Sequence, residues 1–277
     1  MIRRDGMNIV RLTLYMLMLL LLHACVINRH AYAPAIQHIP ALQHEKDISI
    51  TAAAGTVGFT DEFAASLQVA YAVSSKLAVM GAANSTGGVV NINARTSPGG
   101  DIINEQLLYS RPLYELGIGF LQPISADRRA IFQLYGGYGW GINKIREEED
   151  NERVLNFHNS RTNRFFLMPV FTVHPSERFT ISSSFRFTNM AFTRISTSYS
   201  DSLLQVYNLQ QLGNSRITLF EPAITISAGL KKAPEFRFFA QAAVSHMIPE
   251  PDFRYRRTVL SAGLQIHPHK WRKKKSS

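Results

Sequence analysis

From Asp47 to Ile266 the chain alternates apolar with small or polar residues at every second position, and almost nothing in it recurs at helical spacing. Successive side chains of a strand point to opposite faces of a sheet, so this pattern predicts a succession of two-faced strands. In residues 179–189, Phe179, Ile181, Phe185 and Phe187 share one face, while Thr180, Ser182, Ser184, Arg186 and Thr188 share the other. Residues 236–245 set Phe236, Phe238, Ala240, Ala242 and Val244 against Arg237, Gln241 and Ser245. Residues 258–266 set Leu260, Ala262, Leu264 and Ile266 against Ser261, Gly263 and Gln265. Similar strands are predicted at 48–54, 65–71, 114–120, 132–140 and 220–230. Two weaker ones fall at 77–83, which is small and mixed, and at 164–173, which is apolar on both faces.

The make-up of the polar face narrows the fold further. A soluble, half-buried sheet covers its wet face with Lys and Glu, whereas here that face carries Ser49, Thr51, Ser66, Gln68, Gln133, Tyr135, Gly137, Gly139, Thr225 and Ser227. Small polar residues of this kind suit the inside of a narrow barrel, where side chains must fit and hydrogen-bond one another. The few charges on it, Glu115, Arg186, Glu221 and Arg237, are expected to pair across a lumen. The opposite face is aliphatic and aromatic, as a lipid-facing band would be, with Tyr71, Tyr114, Tyr138 and Trp140 near strand ends where interfacial aromatics collect. A soluble lipocalin-like barrel would place these faces the other way round. The glycine-rich stretch at 135–141 alternates along a strand instead of opening a helix, so it makes lumen space and not a phosphate loop.

The connections alternate as well. Joins at 55–62, 84–106, 143–163, 193–215 and 247–256 are predicted long, and those between them, such as 73–76 and 174–177, short. Outer-membrane barrels have short turns on the periplasmic side and longer loops outside. The expectation is therefore an all-β, antiparallel, up-and-down transmembrane barrel of about ten strands over residues 47–266, with both termini on the periplasmic side.

The first 24 residues are of another kind. Arg3, Arg4 and Arg11 precede an apolar run from Leu12 to Leu22, about 11 residues, too short for the roughly 20 of a spanning helix but fitting a signal peptide. Leu22, His23 and Ala24 lead into Cys25, the only cysteine, in a pattern that resembles the bacterial lipobox. That resemblance implies cleavage before Cys25 and a diacylglyceryl group on its thiol. No internal disulfide is open to a lone cysteine, which a lipid anchor accounts for. The expected plan is a lipoprotein signal peptide at 1–24, a lipidated linker at 25–46, the barrel at 47–266 and a basic tail at 267–277. The formal charge is +10, two of which leave with Arg3, Arg4, Arg11 and Asp5 of the signal. A basic balance can mean nucleic acid or an anionic membrane surface, and export argues against the first.

The lead into the barrel, with Tyr32, Pro34, Pro40 and Glu45, and the strand–turn–strand over 67–81 resemble the outer-membrane β-barrel lipoproteins of Bacteroidota. The resemblance covers the lipobox and roughly residues 30–85. It implies a small barrel of the outer membrane. With both termini on the periplasmic side, the acyl chain on Cys25 is expected in the periplasmic leaflet, and the expected partners are outer-membrane lipid, lipopolysaccharide and the barrel-assembly machinery. The resemblance implies no established chemistry and no cofactor beyond the covalent lipid.

Candidate sites outside the barrel wall are sparse. The tail residues Lys270, Arg272, Lys273, Lys274 and Lys275 could contact anionic head groups. His267 and His269 have strand spacing for a metal but supply two ligands where zinc needs three or four. The acidic run at 146–153 could collect calcium from a loop, although charge runs are usually solvated. No serine stands in a nucleophile elbow, so catalysis is not expected. The expected role is structural or surface-interacting, through outer loops such as 192–216. The rival roles are a narrow passive channel and a lipid-modifying barrel enzyme drawing on His158 and His246.

Overall fold

In a computed structural model the chain forms a closed antiparallel barrel. The structure describes residues 29–268 apart from 59–60, 97–101, 150–152, 177, 211, 215, 234 and 250–252. The strands are β1 (Ile48–Val57), β2 (Glu62–Ala72), β3 (Leu77–Thr96), β4 (Ile102–Pro123), β5 (Ala130–Glu149), β6 (Val154–Val173), β7 (Phe179–Thr197), β8 (Arg216–Gly229), β9 (Phe236–Val244), β10 (His246–Ile248) and β11 (Thr258–Ile266). Neighbours in sequence pair from β1 to β9, β11 pairs with both β9 and β1, and the ring closes. The short β10 pairs with β8 where β9 stops, Met247 opposite Leu219, and so extends the line of β9 past Ser245. Ten strands make the wall, as the alternation predicts.

The faces also fall as expected. Thr180, Ser182, Ser184, Arg186 and Thr188 are buried inside, while Phe179, Ile181, Phe185 and Phe187 are exposed outside. No helix among the described residues is long and apolar enough to cross a membrane.

The wall is uneven in height. Strands β1, β2, β9 and β11 have 9 to 11 residues, whereas β3 to β7 have 19 to 22. At about 3.3 Å per residue and a tilt near 40°, ten residues match the apolar band of roughly 25 Å, and twenty reach about twice that. Long arms of β3 to β7 therefore stand above the band. The predicted long joins at 84–106 and 143–163 are corrected by these arms, since β3 runs to Thr96, β4 starts at Ile102, β5 runs to Glu149 and β6 starts at Val154. Above the band the outward positions face no lipid, so hydropathy stops alternating while the hydrogen-bond ladder continues. The outward series passes from Phe165 to Asn163 on β6, from Phe187 to Asn189 on β7 and from Ile142 to Lys144 on β5.

Residues 29–46 depart from the expected linker and run through the barrel. Every residue from His30 to Pro40 is buried. The segment, hereafter the strap, enters beside the 198–215 and 245–257 connections: Ala31 N donates to Arg254 O at 3.0 Å and Arg256 N to Tyr32 O at 2.9 Å. It leaves at the opposite mouth, where Lys46 N donates to Ala72 O at 2.8 Å and Arg128 Nη1 to Gln43 O at 2.8 Å. Pro34 and Pro40 suit an extended strand that has no ladder partner, because proline carries no N–H to leave unsatisfied.

Two apolar cores hold the strap. In the lower one Ala33, Ile36, Ile39 and Leu42 join Met80, Leu121, Tyr135, Phe166, Met168 and Val170 from the wall. The inward apolar residues of β6 thus explain why 164–173 is apolar on both faces. In the upper one Ala31 and Tyr32 join Phe192, Tyr199, Leu209, Leu212, Met247 and Phe253. The 198–215 connection, which contains the short helix α1 (Asp201–Val206) capped by Ser200, folds over the mouth as part of this core.

Candidate functional site: the strapped lumen

Three tiers of polar contacts tie the strap to the wall. At the long-loop mouth Arg29 Nε donates to Glu147 Oε1 at 2.6 Å, and its guanidinium lies 4.0 Å from the Tyr207 ring centre. Just below, Glu62 is 2.7 Å from His30 Nε2 and accepts from Arg111 Nη1 at 2.8 Å and Arg256 Nε at 3.2 Å. Arg111 also donates to the carbonyl of His30 at 3.1 Å, so it holds the strap through both backbone and charge.

The middle tier contains three of the four predicted lumen charges, Glu115, Arg186 and Glu221. Glu115 pairs with Arg186 and with Arg164, the latter at 2.8 Å. Arg186 Nε also lies 3.6 Å from Glu221, so two carboxylates balance two guanidinium groups. Glu221 accepts from Tyr32 Oη at 2.5 Å, Thr188 Oγ1 at 2.8 Å and Ser245 Oγ at 2.9 Å. Charges out of water are tolerated only when paired and hydrogen-bonded in this way. Arg237 lies lower and donates to Thr180, which also bonds His174 Nδ1 at 2.9 Å.

Amides make the third tier. Gln37 N donates to Gln241 Oε1 at 3.0 Å, Gln241 Nε2 donates back to Gln37 O at 3.1 Å, and Ser184 Oγ donates to Gln37 Oε1 at 2.8 Å. Inward glycines give large side chains room beside the strap. A Cβ on Gly119 would lie 2.3 Å from the Tyr135 ring, and one on Gly137 would lie 2.4 Å from the Phe166 ring. Two of the spaces that remain beside the strap measure about 20 and 40 Å³, room for one or a few waters.

The other predicted residues are scattered. Cys25 and the basic tail Lys270 to Lys275, with His269, lie outside the described residues. The acidic run has its first residues, Arg146 to Glu149, at the end of β5, with Glu147 turned inward to Arg29; residues 150–152 lie outside the described residues. His158 is buried on β6, not in a loop, and His246 is exposed on β10, with β7 and β8 between them. Three ladder steps of about 4.8 Å separate those strands, so the two histidines do not form a pair. No group of three or more His, Cys, Asp or Glu suited to a metal occurs among the described residues. The residues sequence reasoning missed are Arg29, His30, Tyr32 and Gln37 of the strap, and Glu62, Arg111, Glu147 and Arg164 of the wall.

Outside, Tyr114 and Tyr138 stack on Trp140 with ring centres 6.0 and 6.2 Å apart, which marks the upper edge of the apolar band. Above them Lys144 and Arg146 flank a recess of about 400 Å³ floored by Phe63, Val89 and Leu108.

A closed antiparallel wall, polar and charge-paired within and apolar without, is the architecture of an outer-membrane β-barrel. The chain is similar to the outer membrane protease OmpT from Escherichia coli, with 10% identity, a TM-score of 0.47, and 82% of this chain and 99% of that one covered. It is also similar to the NanC porin (12% identity, TM-score 0.36, 79% and 98% covered) and to a major outer membrane protein from Thermus thermophilus (10% identity, TM-score 0.38, 80% and 98% covered). No protein-family model and no curated protein sequence matches it.

Proposed function

We propose that this protein is an outer-membrane lipoprotein barrel with a structural or surface-interaction role, closed to solutes by its own strap. The burial of every residue from His30 to Pro40 within the wall carries this reading. An open ten-stranded lumen could pass small solutes, but here the strap and its polar tiers occupy that space. In planar bilayers the purified protein is expected to stay at background conductance across voltages. Steady ohmic steps from the wild-type protein would overturn the reading in favour of a channel.

The working surfaces are then the arms above the band and the cap over the mouth. Lys144 and Arg146, poised over an apolar floor just above Trp140, fit the phosphates and upper acyl carbons of lipopolysaccharide. Insertion would depend on the barrel-assembly machinery, and no catalytic step is assigned. Cys25 is the acylation point: its sulfur bonds to the glycerol carbon of a phospholipid, whose head-group phosphate leaves with the thiol proton. A gain in the mass of the N-terminal peptide by a diacylglyceryl group, lost in Cys25→Ala, is the expected signature.

A further inference from the structure

The strap runs in one direction only, and its direction sets where the mature N terminus comes out. Chain order would allow a linker to hang below the barrel, on the same side as the first residue of β1. Instead Arg29 sits beside Glu147 and Tyr207, and His30 beside Glu62, all at the long-loop mouth. Seventeen residues later Lys46 bonds to Ala72 at the short-turn mouth, where β1 begins.

Cys25 precedes Arg29 by four residues. Four extended residues reach no more than about 14 Å, against an apolar band roughly 25 Å tall. A return through the lumen is blocked by the strap itself. A return around the outside is longer still.

Arg29 is held by Glu147, near the end of the tall β5, while His30 is held by Glu62, the first residue of the shorter β2, so the strap leaves the mouth between the tall and the low side of the wall.

We propose that the mature N terminus passes through its own barrel and emerges at the long-loop mouth, so that a lipid on Cys25 enters the outer leaflet of the membrane and not the periplasmic one. The leaflet rests on the acylation proposed above; the side on which the terminus emerges does not. Order of assembly follows. Spaces as small as those left beside the strap cannot pass an acylated terminus. The wall must therefore close around the strap after the lipid is attached.

The test places one epitope tag after Val26, one in the 124–129 turn and one in the 198–215 connection, each in an otherwise native chain. Antibody binding is compared on intact cells and on cells with a permeabilised outer membrane. The N-terminal tag is expected to follow the 198–215 tag in both states; if it follows the 124–129 tag, the proposal is overturned. Cys25→Ala should leave this pattern unchanged. Absence of the acyl mass with an accessible tag would remove the acylation and keep the threaded terminus.

Because insertions can hinder assembly, a second measurement uses Tyr32→Cys with Tyr255→Cys in a Cys25→Ala background. These residues are bridge partners in parallel pairing, and neighbouring strands lie about 4.7–4.9 Å apart, inside the range of about 4.4–6.8 Å that a disulfide requires. Cross-linking of the assembled protein is expected under oxidation. Its failure in an assembled barrel would overturn the threading.

Discussion

Tyr32 donates a hydrogen bond of 2.5 Å to Glu221, a residue 189 positions further along the chain. That bond joins the strap to β8 at mid-lumen, where Glu221 already accepts from Thr188 and Ser245 and lies near Arg186. One carboxylate therefore couples the strap, β7, β8 and the end of β9.

Tyr32→Phe keeps the ring in the upper core and removes only the donor. A hydrogen bond to a charged group contributes about 1.5–3 kcal/mol, and the two remaining hydroxyl donors soften the loss. The expected result is a fall of about 1–2 kcal/mol in unfolding free energy, measured by urea titration in detergent micelles and read as the faster-migrating folded band on unheated gels. An unchanged midpoint would mean that the strap is not seated at Glu221.

Glu115 is the hinge of the middle tier, since Arg164 and Arg186 both depend on it. Removing one partner of a buried charge group typically costs about 3–5 kcal/mol, because the other is left uncompensated. Glu115→Gln should therefore deplete the folded band strongly, and Glu115→Gln combined with Arg164→Gln should recover part of the loss. Additive losses in that double-mutant cycle would show that the pair is not coupled.

Neighbouring glycines provide a sharper contrast. A Cβ on Gly136 would meet nothing closer than 3.8 Å, whereas one on Gly137 would come within 2.3 Å of Leu116 O and 2.4 Å of the Phe166 ring. Gly136→Ala should assemble as the native chain does. Gly137→Ala should lose at least about 1–3 kcal/mol, the usual range for overpacking. Equal tolerance of both would indicate that the lumen is looser than the structure shows.

The wall was legible in the sequence because each strand pattern was written by a physical difference between its two sides. Thr180 to Thr188 and Phe179 to Phe187 separate cleanly since one set meets the lumen and the other does not. The arms were illegible for the same reason in reverse: on β7 the outward series loses its contrast at Asn189, so the ladder beyond it looks like loop. Glu115, Arg186 and Glu221 could be placed on the inner face by parity. Arg111 and Glu62 could not be separated from surface charges without knowing that the strands reached the mouth. The strap left the faintest trace, because a proline-bearing segment with no ladder partner has no period. Its signal lay elsewhere, in Phe166, Met168 and Val170, apolar residues facing a lumen that water alone would not have favoured. That anomaly required an apolar occupant, and Ile36, Ile39 and Leu42 were available upstream.

The outer face makes the most direct claim about environment. Ile118 is 65% exposed near the middle of β4's apolar band, and Ile124 is 62% exposed in the short turn below it. If the band faces lipid, Ile118→Arg must bury a charge in hydrocarbon, which costs about 2–4 kcal/mol at the bilayer midplane, whereas Ile124→Arg at the interface costs about 0–1 kcal/mol. In water both changes would replace an exposed apolar residue by a solvated one, and neither would cost much. Folding into lipid vesicles, followed by urea, therefore separates the two environments. The expected outcome is a clear loss for Ile118→Arg and little for Ile124→Arg. Near-equal small effects would instead describe a barrel standing in the aqueous periplasm, and the apolar exterior would then need a different partner from lipid.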